Sequence, residues 1–327
     1  MTDQSNPASR PRRRFLRFSV RGLLVLVLVV GAGLGWMVHS ARIQRDAVAA
    51  IERAGGKVAY DWEQVHRSKW SGKLIYPSPN PKPIWPKWLI QALGPDYFGD
   101  VVSVRFLPDP PGRAWTNATD EVMLSVGKLA RLNALDLMVA PVTDAGLAHL
   151  SRLTDLTSLD LTGTKITGAG LANLRALRAL RYVGLDNVPL SDADLTQLGG
   201  VKSVESLRLN GRKFSDAGFL RLKGLVNLKR LELSDCRVTD AGLLALRDMT
   251  QLKSLILIRT HVTELAAIRH LTGLTELLLA GSPVTDVGLA NLKGLTNLKQ
   301  LNIMSTEVTN AGVKEVQQAL PSLTITR

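Results

Sequence analysis

Asp136 and Asp160 stand 24 residues apart in matching contexts, Leu135-Asp136-Leu137 and Leu159-Asp160-Leu161. Alternation of this kind points every second side chain to one face of a strand. If the two strands are neighbours, their carboxylates meet across about 4.8 Å, and a close like-charge pair raises one of its pKa values. Such a pair does acid–base work or helps to hold a cation. No Ser, His or Cys converges on it, so neither catalysis nor a metal is expected there. The five histidines, at 39, 66, 149, 261 and 270, lack metal-ligand spacing. The single cysteine, Cys236, has no disulfide partner within the chain. It falls where related segments carry Thr164, Thr260, Ser282 and Thr306, which marks a chain-turning position rather than a nucleophile. The stretch 163–170, GTKITGAG, lacks the Gly-Lys-Ser/Thr end of a phosphate loop. No cofactor is implied.

The elements that position these residues repeat. Leu132, Leu135, Leu137, Val142, Thr143, Asp144, Gly146, Leu147, Leu150 and Leu153 define a frame that restarts at Leu156, Leu180, Val204, Leu228 and Leu252. It restarts again at Leu274 and Leu298, and the step is 24 residues except for one of 22 before Leu274. Each L-x-L core reads as a strand with its leucines inward, and the three-residue spacing of Leu147, Leu150 and Leu153 suits a short outer helix. A divergent first copy begins at Val101, with Val102, Val104 and Phe106 on one strand face and Ala118-Thr119-Asp120 at its turn.

The turn chemistry is constant. A hydroxyl occurs at Thr119, Thr143, Thr167, Ser191, Ser215, Thr239, Thr263, Thr285 and Thr309, where it can accept an orphan N–H of the following helix. An acid usually comes next, at Asp120, Asp144, Asp192, Asp216, Asp240, Glu264 and Asp286, a placement that suits a positive helix end. Helix capping explains the row without the alternative, a calcium ladder. The copy at Leu252 lacks the equivalent of Ala241-Gly242, so Glu264 runs directly into Leu265 and a local change in curvature is expected.

The chain is basic, with 41 Lys/Arg against 28 Asp/Glu. The excess is concentrated near the amino terminus: residues 1–60 hold 10 against 3, whereas residues 119–327 hold 24 against 20. Nucleic-acid binding by the repeats gains no support from such a distribution. Residues 1–21 read as a disordered cationic tail with six arginines. Residues 22–38 carry no charge, and extension to Ala41 gives about 30 Å of helix, a bilayer core. Arginines before this span outnumber those just after it, which predicts a cytoplasmic amino terminus and an outward-facing remainder. Two alternatives are a cleaved signal peptide, with a poor site at Val38-His39-Ser40, and a twin-arginine export signal at 12–17. Gly31 and Gly35 form a GxxxG, a candidate homodimer contact.

Beyond the span, Arg45 to Ala54 reads as a short helix stopped by Gly55-Gly56, and Lys57 to Tyr60 as a strand. Residues 61–100 are rich in proline and tryptophan (Trp62, Trp70, Trp85, Trp88). This block is expected to cover the open end of the repeat stack; the alternative is an aromatic surface for a ligand or membrane headgroups. Asn117-Ala118-Thr119 spells a glycosylation sequon.

From Val101 onward the L-x-x-L-x-L frames and the Val238-Thr239-Asp240-Ala241-Gly242-Leu243 turn resemble the leucine-rich repeat superfamily, nearest its ribonuclease-inhibitor-like and cysteine-containing members. The full layout is similar to bacterial membrane-anchored leucine-rich repeat proteins. The resemblance implies an α/β solenoid, with a parallel sheet on the concave face and short helices on the convex one, preceded by a single transmembrane helix. The domains expected are a basic cytoplasmic tail at 1–21, a transmembrane helix or signal anchor at 22–41, a membrane-proximal helix with the aromatic cap at 42–100, and about nine repeats at 101–327.

The concave face is the natural partner surface of a solenoid. Its residues read as Asp136, Asp160, Tyr182, Asp186, Arg208, Arg230, Glu232, Ile256, Ile258, Leu278, Asn302 and Met304, with Arg105 at the start. An exposed apolar patch of Ile256, Ile258, Leu278 and Met304 is expected at one end, and an acidic, solvent-screened stretch at the other. The expectation is therefore a non-enzymatic scaffold in the bacterial cytoplasmic membrane, facing the periplasm and binding an unidentified protein. The alternatives are a self-associating envelope protein and an exported protein with a cleaved signal.

Overall fold

The computed structural model describes residues 20–62, 66–67, 74–75, 85–106, 117–211 and 214–327. Tail residues 1–19, Trp70, Trp115 and the prolines at 77, 79, 81 and 83 lie outside them. The chain divides into two compact units, Met1–Arg42 and Ile43–Arg327.

One helix, α1 (Val20–Arg53), carries the chain from the first unit into the second. The sequence predicts two helices here, but no Gly or Pro interrupts residues 36–53, so nothing breaks the first. In the first unit, every side chain from Leu23 to Met37 is exposed. By length and composition α1 can cross a membrane.

In the second unit, β1 (Lys57–Tyr60) pairs antiparallel with β4 (Val101–Arg105). Two short strands, β2 (His66–Arg67) and β3 (Leu74–Ile75), form a separate pair, and α2 (Lys87–Leu93) follows. From β4 the sheet continues strand by strand in parallel. Its members are β5 (Ala134–Asp136), β6 (Ser158–Asp160), β7 (Tyr182–Gly184), β8 (Ser206–Arg208) and β9 (Arg230–Ser234). Then come β10 (Ser254–Ile258), β11 (Glu276–Leu278), β12 (Gln300–Asn302) and β13 (Thr324–Thr326), also parallel. The result is an eleven-stranded sheet in sequence order except at β1.

Short helices return the chain between strands: α3 (Asp120–Val126), α4 (Asp144–Ala148), α5 (Gly168–Leu171), α6 (Leu195–Leu198), α7 (Asp216–Phe219), α8 (Asp286–Ala290) and α9 (Asn310–Ala319). Several copies use a 3-10 turn after or in place of the helix, as at Gly242–Asp248 and Ala266–Ile268. Three-residue leucine spacing stacks side chains along the tighter coil. The leucines form one continuous core; in the copy from Leu156, Leu159, Leu161, Ile166, Leu171 and Leu174 are all fully buried. No single coil could bury them alone, so stability comes from stacking.

Much of the aromatic block lies outside the described residues; among the described ones, the first coil is covered from several sides. Ala47, Val48, Ile51 and Ala54 of α1 join Phe106, Val104 and Met123 in the core, and β1 covers the edge of β4. Tyr60 and Trp62 stack at 4.9 Å and extend this cover, while Trp85 and Trp88 are exposed.

The hydroxyl row caps helices as the sequence predicts at Thr143, Thr167, Ser215, Thr239 and Thr309, each accepting the N–H two residues on. Thr119 and Thr285 make no such side-chain bond. The acidic row does something the sequence reading does not anticipate. Each aspartate reaches forward to the next coil and accepts both the N–H and the O–H of that coil's hydroxyl residue. Asp120 does so for Thr143 (2.8 and 2.6 Å), Asp216 for Thr239 (2.8 and 2.7 Å) and Asp286 for Thr309 (2.8 and 2.6 Å). Asp144, Asp192 and Asp240 repeat the contact with Thr167, Ser215 and Thr263.

This contact also explains the glycine of the turn. A Cβ on Gly146, Gly170, Gly218, Gly242 or Gly312 would stand 2.1–2.4 Å from the incoming carboxylate oxygen. Aspartate and glycine are therefore two halves of one joint between successive coils.

One joint is reversed. Gly168 occupies the aspartate position of its coil, and Asp194 occupies the glycine position of the next. Asp194 turns back to accept the N–H and O–H of Ser191 at 2.8 and 2.7 Å. A Cβ on Gly168 would lie 2.0 Å from that carboxylate. The shortened copy solves the same problem differently. Leu265 adopts a left-handed φ of 57°, and Asp240 collects the N–H groups of Thr263, Glu264 and Leu265. Sheet register through β10 and β11 continues unbroken.

The reversed joint makes a direct prediction. Gly168→Asp alone places two carboxylates in one space, and Asp194→Gly alone strips Ser191 of its acceptor; each should cost about 1–3 kcal/mol, the range for an unmet or charged hydrogen bond. The double variant restores the ordinary joint and should unfold at the wild-type urea midpoint. Additive losses in the double variant would refute the assignment.

Candidate functional site

The concave face is built from two aligned rows of outward side chains. Strand register places Arg105, Asp136, Asp160, Gly184, Arg208, Glu232, Ile256, Leu278 and Asn302 side by side. The other row includes Ser158, Tyr182, Ser206, Arg230, Ser254 and Glu276. Asp186 and Met304 follow just beyond their strands, and Ile258 is the last residue of β10.

Asp136 and Asp160 are neighbours, as the sequence predicts, but they are not exposed: 3% and 1% of their surfaces reach solvent. Each carboxylate accepts the N–H two residues on, Met138 and Thr162, both at 3.1 Å. Asn302 repeats the bond with Met304 at 2.9 Å. Asp or Asn at this position thus satisfies a donor left by a strand that ends early.

Gly184 lies between Asp160 and Arg208 in the row. Without a side chain there, the Arg208 guanidinium crosses to Asp160 at 3.4 Å and to the Thr162 hydroxyl at 2.9 Å, while its Nε pairs with Asp186. The Tyr182 hydroxyl donates to Asp160 at 3.5 Å beneath this bridge. A second lattice follows one strand on: Arg230 donates to Ser254 at 2.8 Å and to Glu276 at 2.9 Å, and also pairs with Glu232. The sequence reading omits Gly184, Thr162, Ser254 and Glu276. The clue to the first was a glycine where every neighbouring copy carries a side chain.

The apolar end is smaller than the sequence predicts. Ile256 is 3% exposed and belongs beneath the surface. Ile258 and Leu278 are half-buried and Met304 is 45% exposed, so three side chains, not four, form the accessible apolar end. Tyr182 and Asp186 are buried as well. Asn302, Arg208, Arg230 and Glu232 are half-buried.

Burial, and next the Asp160 charge, push the Tyr182 phenol far above its ordinary 10.0, so it keeps its proton. Burial pushes the Cys236 thiol up to about 11. That thiol donates to the carbonyls of Gly211 and Ser234 at 3.3 and 3.4 Å. Thr164 and Thr306 in the same row donate instead to the carbonyl three residues back, Leu161 and Ile303, both at 2.7 Å, so each member of the row is a small donor that bonds backbone carbonyls. Among the described residues, no cluster of three or more His, Cys, Asp or Glu has the geometry to hold a metal.

Parallel strands alternating with short helices on one continuous core define a solenoid. Three segments, 152–174, 225–246 and 294–316, match the family model described as Leucine Rich repeat. The chain is a leucine-rich repeat protein. Among solved structures it is similar to internalin C2 from Listeria monocytogenes, with 23% identity, a TM-score of 0.44, and coverage of 57% of this chain and 74% of that one. It is also similar to a second internalin, InlF, from the same organism, with 17% identity, a TM-score of 0.46, and coverage of 73% and 86%. No curated protein sequence matches it.

Two carboxylates should leave opposite marks on stability. Burial lifts Asp186 above its ordinary 3.8 more than Arg208 and the Asn210 N–H lower it. The folded chain then holds this proton more tightly than the unfolded one, so stability falls as pH rises past 3.8 toward the raised value. For Asp240, burial also pushes upward, but the Thr263 hydroxyl and three backbone N–H groups outweigh it and lower its pKa below 3.8. Its contribution is full above the unfolded value and is lost as pH falls through the folded one. Urea midpoints measured across pH should lose the first slope in Asp186→Asn and the second in Asp240→Asn.

Proposed function

We propose that this protein is a membrane-anchored, non-enzymatic scaffold that binds a protein partner along the concave face of its repeat sheet. The observation that carries the reading is the accessible apolar end formed by Ile258, Leu278 and Met304, beside a rigid lattice of charged side chains. Half-exposed apolar groups fixed on strands and rimmed by charges suit a partner that excludes water at the centre and bonds at the edge. Asp136, Asp160, Tyr182, Asp186, Arg208 and Arg230 act mainly by holding that surface in shape; Glu232, Asn302 and the apolar three are the groups a partner touches. Residues 1–21 are the cytoplasmic tail, 22–41 the lipid-spanning anchor, 42–100 the membrane-proximal segment and 101–327 the repeat domain outside the cytoplasm. The exposed, uncharged stretch of α1 and the arginines preceding it support this orientation.

A second reading, self-association, is favoured by one observation: nothing lies within 4 Å of the Cβ positions of Gly31, Gly33 and Gly35, leaving backbone open to a second helix.

A photo-crosslinking residue at Leu278 in intact cells separates the two readings, with one at exposed Val287 as the control. A foreign chain captured at 278 and not at 287, and lost when Ile258→Glu is added, is the expected result. Capture of self-copies alone would favour the second reading, and equal capture at both sites would discard the concave face.

A further inference from the structure

The charges of the repeat coils are sorted by edge. The seven residues before each strand from β5 to β13 bring the chain from the convex side back to the sheet. Together they hold fourteen Lys or Arg and three Asp or Glu, whereas the rest of residues 119–327 holds ten and seventeen. The small net excess of this region is thus a strongly basic edge set against an acidic remainder. Charges that serve solubility alone are interspersed; like charges gathered on one edge repel one another and draw anions.

A backbone ladder keeps this edge in register. The Arg181 N–H donates to the Thr157 carbonyl at 2.9 Å, Glu205 to Arg181 at 2.8 Å, Lys229 to Glu205 at 2.7 Å and Lys253 to Lys229 at 2.8 Å. One side chain per coil therefore stands in a row, each about 4.8 Å from the next. The Glu205 carboxylate accepts from Arg181 on one side and from Lys229, at 3.0 Å, on the other, which holds both cations in place. Arg178, Lys202 and Lys253 are exposed, and among the described residues no carboxylate pairs with them.

Between these coils the edge sinks into an open groove of about 390 Å³. Arg178, Arg181, Glu205 and Lys229 line it together with the Ser203 hydroxyl and the amides of Asn227 and Gln251. No aromatic or aliphatic side chain takes part. A folded protein partner needs an apolar centre, and single-stranded nucleic acid needs aromatic faces for its bases; the groove offers neither. A hexuronate chain carries one carboxylate per ring, and a ring is about as long as the strand spacing of roughly 4.8 Å.

We infer that this basic edge binds an acidic polysaccharide built of uronate sugars. Its carboxylates meet Arg178, Arg181, Lys229 and Lys253, and its hydroxyls meet Ser203, Asn227 and Gln251. The site stands apart from the concave face and does not depend on what that face binds.

The test is fluorescence anisotropy with the full chain in a nonionic detergent, in about 0.1 M salt, where charges beyond roughly 10 Å are screened. The probe is a labelled oligogalacturonate; poly-glutamate and oligothymidylate of matched charge and neutral dextran are compared with it. Oligogalacturonate should bind most tightly and dextran not at all. Arg178→Glu with Lys253→Glu should weaken binding roughly tenfold, as expected for two exposed ionic contacts. Lys165→Glu with Arg237→Glu, which changes net charge equally at other exposed positions, should leave it nearly unchanged. Neither pair breaks an ion pair within the chain, so urea midpoints should stay at the wild-type value; if the first pair lowers it, Arg178→Gln with Lys253→Gln is read in its place, with a several-fold loss expected. Equal losses from the 178/253 and 165/237 pairs, or no binding by the wild type, overturn the site. Poly-glutamate or oligothymidylate binding as tightly as oligogalacturonate overturns the choice of a polysaccharide.

Discussion

A two-bond carboxylate contact between coils is the constraint on which the solenoid depends. The apolar core is non-directional: leucine stacks against leucine in many rotations. The aspartate that accepts both the N–H and O–H of the next coil's hydroxyl residue is directional, and it admits one rotation and one rise. Six such contacts, from Asp120, Asp144, Asp192, Asp216, Asp240 and Asp286, repeat along the edge where strands turn into helices. The glycine opposite each of these carboxylates except Asp240 belongs to the same device, because a methyl group there would overlap the oxygen. The parallel register of the sheet, and hence the alignment of the concave rows, follows from joints spaced one per coil.

That alignment decides the character of the concave face. Rows in register bring charged side chains close enough to bury one another, so Asp136 and Asp160 lose solvent without leaving the surface layer. Arg208 and Arg230 then act across two strands rather than one, each tying a carboxylate to a hydroxyl. Paired charges of this kind contribute little net stability but resist rearrangement. A face locked in this manner presents its remaining apolar groups, Ile258, Leu278 and Met304, in fixed positions, which lowers the ordering cost of binding.

The periodicity of leucine made the fold legible, since a strand–turn–helix pattern recurring every 24 residues has few physical solutions. The capping hydroxyls were legible for the same reason. The sequence reading assigned the aspartates to their own helix ends because local chemistry offered a sufficient role; the contact to the next coil is 23 residues away and needs the coil geometry to be seen. Burial on the concave side was misjudged because alternation separates inward from outward residues but does not say how tightly the outward ones crowd. Ile256 shows this: it faces out of the sheet and is still 3% exposed. The continuity of α1 was missed because the change from apolar to mixed composition near Arg42 reads as a boundary, although no backbone feature there ends a helix.

The exchange between Gly168 and Asp194 has a consequence for how such an array can change over generations. Among the coils with the ordinary joint, one can be copied or deleted as a unit, because each brings an outgoing acid and an incoming gap. These two coils are no longer interchangeable with their neighbours. Placing an ordinary coil after Gly168 leaves its hydroxyl residue without a carboxylate, and placing one before Asp194 brings two carboxylates together. The pair must be inherited as one piece, so unequal recombination within the array is viable only at borders that keep it whole.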